Sequence, residues 1–169
     1  MSLPGQQVQP GRYTVIPRCL SFLLRDEQVL LIRIAEGRGG WSNLLNGIGG
    51  HIERGEDPRS AALREIKEET GLDIPPSSLF LSGVVAVDVG KLPGIGLYIF
   101  VGETYVSETR SSCEGTPEWI DLIDFEKQPL VDDLPALLPL AIKSYHNKQP
   151  FSAVTTFAEN GNPIIHFSP

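Results

Sequence analysis

The stretch of residues 50–72 constrains the fold more than any other, because it places five glutamates around one predicted helix. Residues 57–70 favour a helix. Asp57 can cap its N-terminus, Pro58 suits the first helical position, and Gly71 can end it in a left-handed conformation. This segment is therefore predicted to form a loop, a helix and a second loop.

Three glutamates share one face of this helix, because Glu65 lies four residues before Glu69 and three before Glu68. Like charges at these spacings destabilise a helix by a few tenths of a kcal/mol per pair. A divalent cation among the carboxylates would reverse that effect, and such oxygen ligands suit Mg²⁺ or Mn²⁺. A solvated acidic helix face is the alternative. Ala62 and Ile66 form an apolar face that we expect to pack on a sheet.

The spacing of this stretch resembles the Nudix box: glycine, five residues, glutamate, seven residues, then Arg-Glu-apolar-any-Glu-Glu-any-Gly-apolar. The nine constrained positions all match, and they are Gly50, Glu56, Arg64, Glu65, Ile66, Glu68, Glu69, Gly71 and Leu72. The resemblance implies a hydrolase that cuts a diphosphate bond in a nucleoside diphosphate linked to another group. It also implies an α/β/α sandwich around a mixed β-sheet.

The resemblance further implies roles within the box. Glu65, Glu68 and Glu69 correspond to metal ligands for Mg²⁺ or Mn²⁺, and the Gly50 carbonyl is a candidate fourth oxygen. Arg64 is expected to be structural. It would pair with Glu56 and hold the loop against the helix.

Composition narrows the class of protein. The 169 residues suit a single domain spanning 1–169, with a polar lead-in at 1–11. A net charge of −7 without a basic run argues against a nucleic-acid polymer as partner and favours a small nucleotide. No apolar run reaches the roughly 18 residues of a membrane span. Cys19 and Cys113 are too few for a disulfide scaffold, so we expect a cytoplasmic protein. We expect this protein to be a monomer or a homodimer.

Hydrophobic patterns predict the remaining elements. Strands are predicted over residues 13–24, 28–34, 79–88, 97–101, 118–122, 151–157 and 164–167, and a second helix over 132–145. A Gly/Pro loop is predicted at 90–96. Pro139 should kink the second helix or delay its start. Strands interleaved with two helices agree with the α/β/α sandwich.

The catalytic base is predicted either within the box or in a downstream loop. Glu114 is the strongest candidate outside the box, and Glu103 and Glu108 are weaker ones. Glu114 precedes a predicted strand and stands five residues before Trp119. This spacing resembles the late-loop glutamate and tryptophan strand of diphosphatases that act on oxidised purine nucleoside triphosphates. The resemblance makes Glu114 a candidate metal ligand as well.

Two further motifs resemble the same subgroup. It carries Asn-Gly-any-Gly-Gly before its box, which begins here at Asn46, and an Asp-Asp pair before its last helix, here Asp132 and Asp133. An amide and a carboxylate can together read a purine edge. Helix capping is the alternative for the aspartates. The subgroup's two aromatic positions are occupied by Leu45 and by residues 130–131.

Other side chains could complete a nucleotide site. The predicted substitutes for the two aromatic residues are Trp41, Tyr98 and Phe100, each of which could instead belong to the core or the rim. Arg33 lies near the end of the second strand, which leads toward the box, and it is a candidate phosphate ligand. A solvated strand arginine is the alternative.

These features predict a Mg²⁺-dependent diphosphatase that releases pyrophosphate and a nucleoside monophosphate, with oxidised purine nucleotides such as 8-oxo-dGTP among its substrates. A hydrolase of ADP-ribose, nucleotide sugars or a related compound is the alternative. ADP-ribose hydrolases of the family tend to carry proline where this chain has Asp88. A non-catalytic nucleotide sensor is a third possibility, although such domains usually lose one of the box glutamates.

Overall fold

The computed structural model describes residues 11–90 and 93–167, so the predicted lead-in lies almost entirely outside the described residues. The strands are β1 Val15–Arg25, β2 Gln28–Ile34, β3 Leu45–Asn46, β4 Leu79–Val87, β5 Gly94–Glu103, β6 Gly115–Asp121, β7 Phe151–Phe157 and β8 Pro163–Phe167. The helices are α1 Pro58–Thr70 and α2 Leu134–Asn147. Within the described ranges, neither helix has the length and apolar character needed to cross a membrane.

The strands form one mixed sheet in the order β3-β2-β1-β5-β4-β7-β8, and β6 pairs with the other edge of β2. The β1–β5 and β4–β7 pairs are parallel, and the other strand pairs are antiparallel. The two parallel pairs join segments that are distant in sequence. The mixed sheet that the sequence predicted is confirmed.

The two helices cover opposite faces of this sheet, because side chains alternate between faces along β1. Leu20 and Phe22 pack in the cluster that contains α2. Cys19 and Leu23 pack in the cluster that contains α1, whose apolar face contributes Ile66. The predicted α/β/α sandwich is therefore confirmed, with a separate apolar layer on each side of the sheet.

Two predicted strand starts were wrong. β5 begins at Gly94 rather than at residue 97, because parallel pairing with β1 extends the strand, and the predicted loop at 90–96 is shortened. Residues 91–92 of that loop lie outside the described ranges. β6 begins at Gly115 rather than at residue 118, and it contains Pro117, which is tolerated on a strand whose one partner among the described strands is β2. α2 runs from Leu134 through Pro139 to Asn147, so the helix does not start after the proline, and the alternative expectation of a kink there stays a prediction.

The segment 45–51 lies between β1 and β2. These two strands pair with each other only near their connecting turn, and β6 covers the opposite edge of β2 along its whole length. Farther from the turn, β3 pairs with β2, while the Ile48 and Gly50 backbones hydrogen-bond to β1. A Cβ atom at Gly49 would lie 2.1 Å from the carbonyl oxygen of Cys19. The sheet therefore closes around this segment without distortion of the backbone when residue 49 is glycine.

Replacing Gly49 with alanine should destabilise the protein by about 1–3 kcal/mol, because the new methyl group meets backbone rather than a movable side chain. Gly40→Ala is the matched control, since a Cβ there meets no atom within 4 Å. Urea denaturation of both variants checks this expectation. Equal midpoints for the two variants would contradict the described packing around residue 49.

Candidate functional site

The box helix follows its local sequence signals. The Asp57 carboxylate accepts hydrogen bonds from the backbone N–H groups of Arg59 and Ser60 at 2.9 and 3.2 Å. Gly71 ends the helix in the left-handed conformation, with φ of 79°. The loop-helix-loop predicted over 50–72 is therefore confirmed.

The three glutamates on the helix differ in exposure. Glu65 and Glu69 are 8% and 5% exposed, whereas the Glu68 side chain is 58% exposed. Glu69 accepts a hydrogen bond from the Gly49 backbone N–H at 3.2 Å. A Cβ atom at Gly50 would lie 2.4 Å from Oε1 of Glu65, so this glycine allows the carboxylate to approach the backbone. The carboxylates of Glu65 and Glu69 therefore lie against the segment 45–51, whereas that of Glu68 is exposed to solvent.

Arg64 joins the box loop to the helix. Its guanidinium donates to both carboxylate oxygens of Glu56, at 3.0 and 3.1 Å, which is the contact expected from the sequence. It also donates to Glu65 at 2.9 Å, to Glu68 at 3.1 Å and to the His51 carbonyl at 3.0 Å, and the sequence did not predict these contacts. The guanidinium lowers the pKa of Glu56. Arg64 thus neutralises part of the acidic cluster.

Even with Arg64 nearby, the surroundings of Glu65 and Glu69 disfavour the ionised form of both side chains. Burial, reinforced by Glu65 and Glu114, raises the pKa of Glu69 to about 8. Burial also raises the pKa of Glu65, although Arg64 acts in the opposite direction. The local environment therefore favours proton uptake, or binding of another cation, at these oxygens.

This donor set fits a divalent cation in its chemistry. Carboxylate and carbonyl oxygens are the ligands that Mg²⁺ and Mn²⁺ prefer. The Gly50 carbonyl accepts one hydrogen bond, from the Cys19 N–H at 3.0 Å, and keeps a second lone pair. Within residues 11–90 and 93–167, no three His, Cys, Asp or Glu side chains are already grouped as a metal cluster.

Glu114 is brought to the same place from a distant loop. Its backbone carbonyl accepts a hydrogen bond from the Ala35 N–H at 2.9 Å, and its carboxylate lies 3.7 Å from the Arg38 guanidinium. It raises the pKa of Glu69 through both charge and hydrogen bonding. The structure thus places this predicted residue beside the box carboxylates.

Two adjoining depressions occupy the surface next to these glutamates. The first, called here the acidic cleft, has a volume of about 200 Å³ and is lined by Arg18, Ile32, Ile34, Arg38, Trp41, Asn46, Gly47, Gly49, Glu69 and Glu114. The second, called the apolar cavity, has a volume of about 350 Å³ and is walled mainly by apolar residues of β1, β4, β5, residue 131 and the β7–β8 hairpin. Both are lined by Arg18, Trp41, Asn46 and Gly49. One elongated ligand could therefore occupy both.

Three of the four polar residues predicted to contact substrate line the apolar cavity, and they are Asn46, Asp132 and Asp133. The Asn46 side-chain oxygen accepts a hydrogen bond from the Gly47 N–H at 2.8 Å. Asp133 precedes α2 but makes no side-chain capping hydrogen bond to it. Burial raises the pKa of Asp133, and the neighbouring Asp132 adds to this shift. Asp133 was predicted either to contact substrate or to cap the helix, and it lacks the side-chain hydrogen bond that defines a helix cap.

Arg33, predicted to bind phosphate, lines neither depression. Its guanidinium makes two hydrogen bonds to Glu118 on β6, at 2.6 and 2.7 Å, and one to the Asn43 carbonyl at 3.1 Å. β2 and β6 are paired, so these two side chains are close cross-strand neighbours. This placement corrects the predicted contact and favours a structural role for Arg33.

Of the three aromatic residues predicted to contact the nucleotide, one lines the depressions and two do not. Trp41 lines both depressions, but Tyr98 and Phe100 line neither and belong to the apolar layer next to α1. Phe157, at the end of β7, lines the cavity and was not predicted to do so. Arg18 on β1 was also missed. No short motif marks either residue, because each reaches the site through strand pairing between distant segments.

Comparisons with known proteins agree with this geometry. A family model described as NUDIX domain matches residues 16–140. An oxidized purine nucleoside triphosphate hydrolase of Danio rerio is 33% identical over 87 residues, which are 51% of this chain and 52% of that protein. The chain therefore matches about half the length of that relative.

Solved structures give the same fold. A mutator MutT protein from Bacillus halodurans has a TM-score of 0.70 and 21% identity, covering 92% of this chain and 99% of that one. The NUDIX domain of NrtR from Shewanella oneidensis, complexed with ADP ribose, has a TM-score of 0.64 and 17% identity, covering 82% of this chain and 94% of that one. At these identities the likeness concerns the fold.

In metal-free buffer, the melting temperature should fall as pH rises from about 5 to about 8. Glu69 keeps its proton up to about pH 8 when folded, but ionises near 4.5 when unfolded. The folded state therefore binds more protons in this window, and its stability is greatest below the unfolded pKa and decreases as pH rises through the folded one. Calorimetry in EDTA measures this dependence.

Glu69→Gln is the matched variant, because it keeps the shape of the side chain but cannot titrate. Its melting temperature should depend less on pH than that of the wild type. Added Mg²⁺ should stabilise the wild type more at about pH 8 than at about pH 6, because the ion competes with the proton for the same oxygens. Identical pH profiles for the variant and the wild type would contradict the assigned burial of Glu69.

Proposed function

The chain belongs to the Nudix family, and we propose that it hydrolyses a nucleoside triphosphate to a nucleoside monophosphate and pyrophosphate. The proposal rests on one observation, which is that the apolar cavity adjoins the acidic cleft and shares four lining residues with it. A nucleotide has a planar, weakly polar base at one end and a chain of phosphates at the other. The two depressions offer complementary surroundings for these two ends.

The apolar cavity supports the choice of a purine. Its walls are mainly aliphatic, while Asn46, Asp132 and Asp133 supply the few polar groups that can orient a base. Trp41 and Phe157 line the same cavity and offer aromatic surfaces for stacking. The partial similarity to the Danio rerio hydrolase also favours a purine, including an oxidised one such as 8-oxo-dGTP.

A cation is needed where phosphates approach the two carboxylates of the acidic cleft, Glu69 and Glu114, because carboxylates and phosphates repel each other. We propose that Glu65, Glu68 and Glu69, together with the Gly50 carbonyl, hold Mg²⁺ or Mn²⁺, with Glu114 next to this set. When bound, such an ion neutralises phosphate charge and makes water a better nucleophile. Through its two hydrogen bonds to Glu56, Arg64 would hold the box loop against the helix while the metal ion binds.

The reaction consumes one water molecule. The water oxygen forms a bond to the α- or the β-phosphorus. The bond from that phosphorus to the bridging oxygen breaks, and the bridging oxygen leaves with the other phosphate, which gives the monophosphate and pyrophosphate. One water proton passes to a carboxylate and then to solvent or a product. We propose Glu114 as this proton acceptor, because it lies in the cleft beside Glu69 on a loop separate from the box helix. The box carboxylates would then serve mainly to bind the metal ion.

A hydrolysis panel tests the proposed function. Incubation with Mg²⁺ and dGTP, 8-oxo-dGTP, the other nucleoside triphosphates, ADP-ribose or a nucleotide sugar should yield monophosphate and pyrophosphate from a purine triphosphate. Glu69→Gln should lower kcat/KM roughly 100- to 1,000-fold, because a metal ligand is lost. Glu126→Gln, at an exposed position outside both depressions, is the control. Turnover of ADP-ribose or a sugar nucleotide alone would refute the proposed substrate, and binding without any hydrolysis would indicate a nucleotide sensor.

Glu114→Gln separates proton transfer from metal binding. If Glu114 accepts the proton, kcat should fall about 10²- to 10⁴-fold while the Mg²⁺ concentration for half-maximal activity stays the same. Steady-state kinetics across a Mg²⁺ titration measure both quantities. A large increase in the Mg²⁺ requirement, with kcat restored at saturation, would instead show that Glu114 is mainly a metal ligand.

A further inference from the structure

Arg18 stands where the apolar cavity meets the acidic cleft. Its backbone lies in the middle of β1, opposite Leu97 of β5 on one side and His51 on the other. Arg18 is one of the residues that line both depressions. A residue held on both edges of a central strand has a well-defined position, which suits precise contact with a ligand.

The charge of Arg18 is not offset by any acidic side chain that the structure describes. Among residues 11–90 and 93–167, its half-buried side chain makes no ion pair within 4 Å, whereas Arg33, Arg38 and Arg64 each make at least one. A guanidinium carries five donors and never gives up its charge at physiological pH. Partial burial of such a group is unfavourable unless acceptors approach it. An anionic group of a ligand would satisfy this requirement.

We propose that Arg18 binds the phosphate nearest the sugar of the bound nucleotide. This inference rests on the proposed function, in which the base enters the cavity and the phosphates enter the cleft. The part of the nucleotide that crosses the boundary is then the sugar with its first phosphate. Of the four residues common to both depressions, Arg18 alone is charged, and its planar fork matches two oxygens of a phosphate.

This contact has a consequence for catalysis. The acidic cleft alone does not determine how far the phosphate chain enters. Its carboxylates act on phosphate oxygens only through a shared cation, and its own guanidinium, Arg38, is paired with Glu114 at 3.7 Å. A fixed positive charge at the boundary would anchor the first phosphate. Arg18 is thus a positioning residue that aligns the bond between the α- and β-phosphates with the carboxylates.

Calorimetric titration with GMP and with guanosine tests this role without hydrolysis. These ligands differ only by the phosphate, and GMP has no diphosphate bond to cut. In Mg²⁺ buffer the wild type should bind GMP more tightly than guanosine. Arg18→Ala should weaken GMP binding about 10- to 100-fold and leave guanosine binding unchanged, as expected for loss of a charged hydrogen bond. Where guanosine binds weakly, its affinity can be measured by competition with GMP.

Two variants complete the design. Arg18→Lys keeps the charge but loses the two-pronged geometry, so its GMP affinity should lie between those of the wild type and Arg18→Ala. Arg59→Ala removes an exposed arginine on the first turn of α1 and should bind both ligands like the wild type. Melting curves of each variant establish that it is folded. If Arg18→Ala does not fold, Arg18→Lys and Arg18→Gln carry the same comparison.

Several outcomes would overturn the proposal. Equal losses for GMP and guanosine would place Arg18 against the base rather than the phosphate. Unchanged GMP binding in Arg18→Ala would remove Arg18 from the ligand altogether. A wild type that does not distinguish GMP from guanosine, including one that binds neither, would also overturn it. By contrast, GMP-selective binding that depends on Arg18, without hydrolysis of any triphosphate, would refute the proposed function and leave this assignment intact.

Discussion

Burial of two neighbouring carboxyl groups against a strand-forming backbone is the constraint on which the site depends. Glu65 and Glu69 are held out of water by α1 and the segment 45–51, and within the described part of the chain only Glu65 of the two receives a guanidinium. The free-energy cost of removing these carboxyl groups from water is offset by the apolar packing of the same helix on the sheet. The fold thereby maintains an unfavourable local arrangement that a cation can relieve, which is how a preorganised site differs from an acidic surface.

The position of the segment 45–51 explains why residues from distant parts of the chain converge. It completes the sheet between β1 and β2, and its residues lie against the box helix and both depressions. Glu114 joins them because the backbone before β6 is tied to the end of β2 by the Ala35 hydrogen bond. Sheet pairing, rather than a flexible loop alone, therefore sets the relative positions of the carboxylates.

Sequence reasoning succeeded where local rules decide the structure. The α1 caps, the β1–β2 hairpin and the contact between Arg64 and Glu56 follow from short-range signals and from one spacing motif. It failed where partners are distant. The early start of β5 depends on β1, the partner of Arg33 lies across a strand pair, and Phe157 reaches the cavity through a parallel pairing of β7 with β4. None of these pairings leaves a local trace in the chain.

The two sides of the apolar cavity differ in how freely they can vary. On one side, Gly49 and Cys19 are locked in backbone contact within the sheet, so most substitutions there would disturb the fold. On the other side, Phe157 and Pro163 belong to a hairpin at the edge of the sheet, and neither residue lines the acidic cleft. Exchange of hairpin residues would therefore change the shape of the proposed base-binding cavity while the box glutamates stay in place. This separation offers a route by which substrate range could diversify during evolution without loss of the underlying chemistry.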